Sequence, residues 1–450
     1  MPATSNRTIR AIARIPACLA FFALLCSACL PLAAQQNKPQ SKPSSQPPQQ
    51  ESTQQSKPPV EAAPARPKIR ALTAFIRLDA SLYPQQLADT LTFLQTAKAA
   101  YEKAGYEVQT LRIATQPFPD FARGLSEVET FKLLRTIDHI AESQGFMISV
   151  GPAMQKPGDD ARWAELLANA LAPAQRMNGS VVVAGDDGIH WDAAEASARV
   201  IEFLSIHSPK SIANINFAAL AVVPAGTPFF PAAYTSGEGH QFAIGLQSAN
   251  VIADALNGTH DPNAAELAII DKLGAYAKEI EATSHDIEDD TKWQYAGIDL
   301  SPAPMKRDSI GAAIESFNGA WLGSSGSLST AALITRAIQS IPVKRAGYSG
   351  LMLPVMEDNV IAHRWSDGSL SVDSLLSYSA VCGTGLDVVP LPGRVTHEQL
   401  VRMIGDVATL AVKWHKPLSA RLLPIATKDA GDRTEFDDNR LVNVMLRPLP

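Results

Sequence analysis

Arg421 is the residue hardest to reconcile with its surroundings, because it interrupts the apolar run Leu418-Ser-Ala-Arg-Leu-Leu-Pro-Ile425. A guanidinium inside a buried strand must either pair with an acid or line a cavity, where its planar fork suits an anionic ligand group. Asp387, opening Asp-Val-Val-Pro-Leu391, is the natural partner for an ion pair. Glu357 and Asp358 end the run Leu351-Met-Leu-Pro-Val-Met356, and Asp299 ends Tyr295-Ala-Gly-Ile-Asp299. Carboxylates delivered by strand ends suit general acid/base chemistry, but either member of the 357–358 pair could equally cap the helix that follows. Glu238-Gly239-His240 forms a Gly-rich loop. With His190 or His260-Asp261 it offers mixed His and carboxylate ligands, although no spacing argument favours a metal. Cys382 lacks an adjacent basic residue that would make it a thiolate, so it reads as a small buried hydrophobe.

From these candidates we expect Glu357 and Asp299 as an acid/base pair, Arg421 as ligand anchor, and Glu238, His240 and Asp387 as further ligand contacts. The phosphate-loop, dinucleotide-binding, zincin and nucleophile-elbow patterns are absent from the sequence.

The elements that must position these residues alternate. Short apolar or β-branched runs at 69–78, 108–113, 146–150 and 180–184 are each followed by a stretch of helical period. Further runs occur at 215–223, 242–246, 295–300, 350–355, 387–391 and 420–425. Such alternation implies parallel strands covered on both faces or closed into a barrel. The stretches 224–239 and 283–293 read as insertions at a barrel mouth.

Charge and composition divide the 450-residue chain into three parts. Residues 1–34 carry Arg7, Arg10 and Arg14 and no acid, then an apolar centre from Leu19 to Leu25 and Ala33-Ala34. This is the layout of a secretory signal, cleaved before Gln35. Ser27-Ala28-Cys29 partly matches a lipidation site, so membrane attachment is expected only through a lipid at Cys29. Residues 35–67 hold eight Gln, eight Pro and five Ser, which describes a disordered tether. The remaining residues 68–450 read as one domain. With the whole chain at −6 and the first two parts at +3 and +2, this domain stands at −11, a poor match for nucleic acid. Under the favoured cut Cys382 is the only cysteine left, so no intramolecular disulfide can form. An exported protein lacks ATP and reduced nicotinamide, which leaves hydrolase, lyase or isomerase chemistry on a small polar molecule. The alternative is a solute-binding or scaffold protein that turns nothing over.

Three long segments carry a resemblance. They are Ser349-Gly-Leu-Met-Leu-Pro-Val-Met-Glu-Asp-Asn359, the run Tyr378 to Gly393, and Lys416-Pro-Leu-Ser-Ala-Arg-Leu-Leu-Pro424 leading into Lys428–Phe436. With Arg70-Ala-Leu-Thr73, Thr115-Gln-Pro-Phe-Pro119 and Gly297–Pro304 they make residues 68–450 resemble the domain-of-unknown-function family numbered 711. The resemblance implies the fold of pyruvate formate-lyase, a ten-stranded β/α barrel of two antiparallel halves, with a polar pocket expected at the strand C-termini. It implies no reaction and no cofactor. The Arg-Val-x-Gly-Tyr loop of glycyl-radical barrels is missing here.

Overall fold

A computed structural model describes residues 66–449. The expected signal sequence, the lipidation site at Cys29 and nearly all of the expected tether lie outside the described residues. The last two tether positions belong to the folded body. Pro67 is buried, and Arg66 pairs with Glu279 at 2.7 Å and lies 4.6 Å over the Tyr106 ring.

Among the described residues ten strands make one mixed sheet: β1 (Lys68–Ile76), β2 (Leu111–Thr115), β3 (Met147–Pro152), β4 (Met177–Gly185), β5 (Gly188–Ile189), β6 (Phe217–Ala221), β7 (Gln241–Gln247), β8 (Gln294–Asp299), β9 (Gly385–Pro392) and β10 (Leu418–Ile425). Their order is β8-β7-β1-β2-β3-β4-β6-β10-β9, with the short β5 folded back on β4. β1 to β4 and β6 run parallel, whereas β7 and β10 meet this set antiparallel at β1 and β6. All eight residues of β9 are buried, as expected for a strand covered on both faces.

Helices cover one face. Local signals set their ends: the helix Glu127–Gln144 starts in a capping box of Ser126 and Glu129 and stops at Gly145, whose φ of +76° suits a residue without Cβ. Among the described residues no helix is long and apolar enough to cross a membrane.

Two expectations about this architecture need correction. The ladder is open, with β8 and β9 as its edges. Gly350–Val355, expected to be the eighth strand, is not one. Pro354 has no N–H to give a ladder, Ser349 takes a φ of +40°, and Gly350 crosses Gly383 so closely that a Cβ on it would lie 2.8 Å from the Gly383 Cα. Backbone bonds from residues 344–355 nevertheless reach both edges, and Ile298 N–H of β8 donates to Lys344 at 2.8 Å. Ala346 N–H donates to Ile298 of β8 at 3.0 Å, and Val355 N–H to Asp387 of β9 at 3.0 Å.

The second correction concerns the loops. Residues 283–291 belong to the long helix Pro262–Thr291. Thr227–Thr235 is buried rather than draped over a mouth. It packs on the sheet face that the helices leave free: Phe229 and Tyr234 join Leu220 and Tyr348 in one apolar cluster, and Phe230 joins Phe75 and Ala243 in another. Hydroxyls satisfy its carbonyls, with Thr73 donating to Pro228 at 2.8 Å and Ser149 to Ala233 at 2.7 Å. Gly245 of β7 makes room, since a Cβ there would stand 2.8 Å from the Phe229 ring.

Candidate functional site

This inserted loop is the floor of a cavity of about 620 Å³, a size ordinary for small-molecule sites. Its walls come from Arg70 of β1, Arg112 of β2, Met147 of β3, Asn178 of β4, Asp387 of β9, Arg421 of β10 and Glu357. Arg70, Arg112, Met147 and Asn178 stand at the first, second or third positions of their strands. The cavity therefore lies at the N-terminal ends of the five-strand parallel set, which is also the C-terminal end of the antiparallel β7 and β8, whose following residues Ala303 to Lys306 line it; the expected place at strand C-termini holds for that half of the sheet and not for β1 to β4 and β6. The opposite end carries a separate cavity of about 650 Å³, lined by Thr235, Gly237, Gln241 and Lys344.

An ionic chain crosses the first cavity. Arg421 donates to Asp387 at 2.8 Å and lies 3.7 Å from Glu357, which in turn accepts from Arg70 at 3.0 Å. Each of these side chains is at most 15% exposed, so the attractions are little screened by water. Burial pushes the Asp387 carboxyl above the usual range, the Glu357 charge adds to this, and the Arg421 guanidinium opposes it. Among the described residues the buried Arg421 Nε has no partner.

Arg112 stands beside this chain and differs from its neighbours. It is 7% exposed, its Nε donates to Thr110 at 2.9 Å, and its guanidinium lies 5.0 Å over the Phe230 ring. Among the described residues no carboxylate pairs with it, and its two terminal nitrogens have no acceptor. Burial, reinforced by repulsion from Arg70, lowers its pKa to about 9. It remains charged at neutral pH. Near the rim, Arg440 is paired with Asp438 at 2.5 Å, and Lys306 completes the basic lining.

The remaining expected residues are not gathered here. Asp299 is wholly buried beside the cavity wall, accepting from the backbone N–H groups of Ser301, Tyr348 and Ser349 at 3.0, 2.8 and 3.0 Å. It fixes the turn that presents Tyr348 to the cavity and does not line it. Asp358 is the helix cap: it accepts from Val360 and Ile361 at the start of Asn359–Asp367, and also from Ser309 and Gly311 at the start of a second helix, Ile310–Asn318. That leaves Glu357 facing the cavity. Glu238 and His240 lie exposed elsewhere, with His240 stacked 4.9 Å from Trp293. His190 is bonded to Asp187 and His260 to the Phe317 carbonyl. Among the described residues no group of three or more His, Cys, Asp or Glu is placed to hold a metal ion. Cys382 is buried in the sheet–helix core.

The sequence reasoning missed Arg70 and Arg112. Both interrupt apolar strands, Ile69-Arg-Ala-Leu72 and Leu111-Arg-Ile-Ala114, as Arg421 does. The criterion that singled out Arg421 applies to them equally.

Comparison with known proteins agrees with the motifs. The family described as Uncharacterised ACR (DUF711) matches residues 64–438. A UPF0210 protein of Pyrobaculum arsenaticum is 29% identical over 393 residues, covering 81% of this chain and 86% of the relative. One of Pyrobaculum aerophilum is 30% identical over 361 residues, 76% of this chain and 79% of the relative. Another, of Desulforudis audaxviator, is 27% identical over 74% of this chain and 77% of the relative. The chain belongs to the DUF711 family.

Proposed function

We propose that the chain binds a small anionic molecule in the cavity between β1, β2, β9 and β10, gripping its carboxylate or phosphate group with Arg112. The observation that carries this reading is the guanidinium itself. A buried cation without an acidic partner is expensive, and it persists where a ligand supplies the missing charge. Phe229, Phe230 and Met352 would cover the rest of the molecule. Calorimetric titration of the purified chain with inorganic phosphate and with short carboxylates tests the reading. Saturable binding by the wild type and at least a tenfold loss in Arg112→Met is the expected result; a wild type that binds neither class contradicts it.

A second reading adds turnover. Glu357 and Asp387 share Arg421, and one of the two carboxyls is pushed up by burial, which is how acid and base roles separate at one site. Glu357 and Asp387 then form the acid/base pair in place of Glu357 and Asp299, for lyase, isomerase or hydrolase chemistry. If so, Glu357→Gln keeps ligand binding and abolishes conversion.

Two broader proposals accompany the site. The backbone bonds from 344–355 to both sheet edges support a closed barrel with this segment as its tenth stave. The composition of residues 1–34 supports export, with cleavage before Gln35 or lipidation at Cys29. The body at 68–450 and the tether before it are divided on the same ground of composition.

A further inference from the structure

Resting on the anion-binding reading, we infer that the ligand carries two anionic groups at separate points of one molecule, the first gripped by Arg112 and the second by Lys306. The inference comes from balancing every charge in the lining. Five cations line the cavity, Arg70, Arg112, Lys306, Arg421 and Arg440, against the carboxylates of Glu107, Glu357 and Asp387. Glu107 is taken at 2.8 Å by Lys68, which does not line the cavity, Glu357 by Arg70 at 3.0 Å and Asp387 by Arg421 at 2.8 Å. Arg440 is taken by Asp438, through its Nε at 3.0 Å and a terminal nitrogen at 2.5 Å. Lys306 also acts on Asp438, but that carboxylate is already held twice. Among the described residues neither Arg112 nor Lys306 makes an ion pair, so two positive charges are left over. A proton taken up by Asp387, whose carboxyl burial pushes upward, would enlarge this excess.

The two free cations stand apart. Arg112 is in β2, Lys306 follows β8, and β7 and β1 lie between these strands in the sheet. Three strand spacings of about 4.8 Å put β2 and β8 about 14 Å apart along the sheet. The neutral pair of Arg70 and Glu357 bridges that interval, since the Glu357 carbonyl accepts from the Lys306 N–H at 2.7 Å while its carboxylate reaches Arg70 on β1. A single phosphate would have to draw both cations together across this pair. Two anionic groups on one carbon body meet each cation where it stands. The body has a matching apolar wall in Ala303 and Pro304, which lead to Lys306, and in Phe229 and Met352. The Lys306 main chain is also fixed on its other side, where its carbonyl accepts from Asn359 at 3.1 Å. Its φ of +52° is one that a residue with a Cβ rarely takes, so the lysine is kept where glycine would be unstrained.

The test is titration calorimetry of the full chain with two matched pairs, terephthalate against benzoate and adipate against hexanoate, and with phenyl phosphate as a dianion concentrated on one group. In at least one pair the diacid is expected to bind at least tenfold more tightly than its monoacid. Lys306→Met should remove that advantage and leave the monoacid unchanged, Lys306→Arg should retain it, and Arg112→Met should weaken both members of the pair. Diacids that bind no more tightly than monoacids, phenyl phosphate that binds more tightly than either diacid, or a Lys306→Met variant that weakens monoacid and diacid alike would overturn this inference while leaving the anion-binding reading intact. Binding of none of the five anions would overturn both.

Discussion

Replacing Arg112 by Met should make the ligand-free protein more stable. Most substitutions of a 7%-exposed strand residue do the opposite. A guanidinium whose pKa is held at about 9 rather than 12.5 carries a charge disfavoured by roughly 5 kcal/mol, at about 1.4 kcal/mol per pH unit. Because the folded value is the lower one, that penalty is fully present below about pH 9 and is relieved only as the pH rises toward the unfolded value. Methionine keeps most of the aliphatic stem. The variant loses the hydrogen bond to Thr110, worth about 1 kcal/mol, and the contact with the Phe230 face, worth about 1–2 kcal/mol. The balance is a gain of about 2 kcal/mol. Unfolding entropy of about 2.1 cal/mol/K per residue converts this to a rise in Tm of about 2–3 °C for a body of this length. The assay is thermal denaturation near neutral pH in a buffer without carboxylate or phosphate. A fall in Tm of comparable size would refute the reasoning, because Arg112 would then be supporting the fold instead of awaiting a partner.

Four other outcomes follow from the same structure. Asp299→Asn should lower stability by about 2–4 kcal/mol, since an amide cannot accept as well from three converging N–H groups; thermal melts would show it, and an unchanged Tm would mean those bonds contribute little. Asp358→Ala uncaps two helices at once and should cost about 2–4 kcal/mol in denaturant titration, more than the ~1 kcal/mol of an ordinary single cap. His397 is held above its usual pKa of 6.5 by hydrogen bonds to Glu195 and Glu202, which outweigh its partial burial. Its contribution is therefore full below pH 6.5 and lost as the pH rises through the raised value, so the wild-type advantage over His397→Ala in Tm should shrink as the pH is taken upward from 6.5. Cys382→Ser should leave benzoate binding unchanged, and abolition of binding would reopen cysteine chemistry at this position.

The strands were legible where burial on both faces imposes an unbroken apolar run, as in Phe217–Ala221 and Gly385–Pro392. Gly350–Val355 has the same apolar look, but its fate depends on Gly383 and on Pro354, and the first of these lies in a distant turn. The ion pair between Arg421 and Asp387 followed from the need to compensate a charge in an apolar strand, and it forms. Asp299 was placed by its position at a strand end. Its actual partners, Tyr348 and Ser349, come from a turn about fifty residues away that no local pattern announces. The buried insertion left a clearer trace, because Phe229-Phe-Pro-Ala-Ala-Tyr234 is too apolar for a solvated loop. That apolar run argues against the barrel-mouth insertion expected for 224–239, but only the fold shows that it lines one end of the cavity.

A crystal structure of the chain soaked with 4-bromobenzoate tests the central claim most directly, since the bromine marks the ligand by its anomalous signal. The expected result is one site in the cavity lined by Arg70, Arg112 and Arg421, with the carboxylate oxygens within hydrogen-bonding distance of the two terminal nitrogens of Arg112 and the ring against Phe229 and Met352. An empty cavity, or a carboxylate bound elsewhere with Arg112 untouched, would contradict the account.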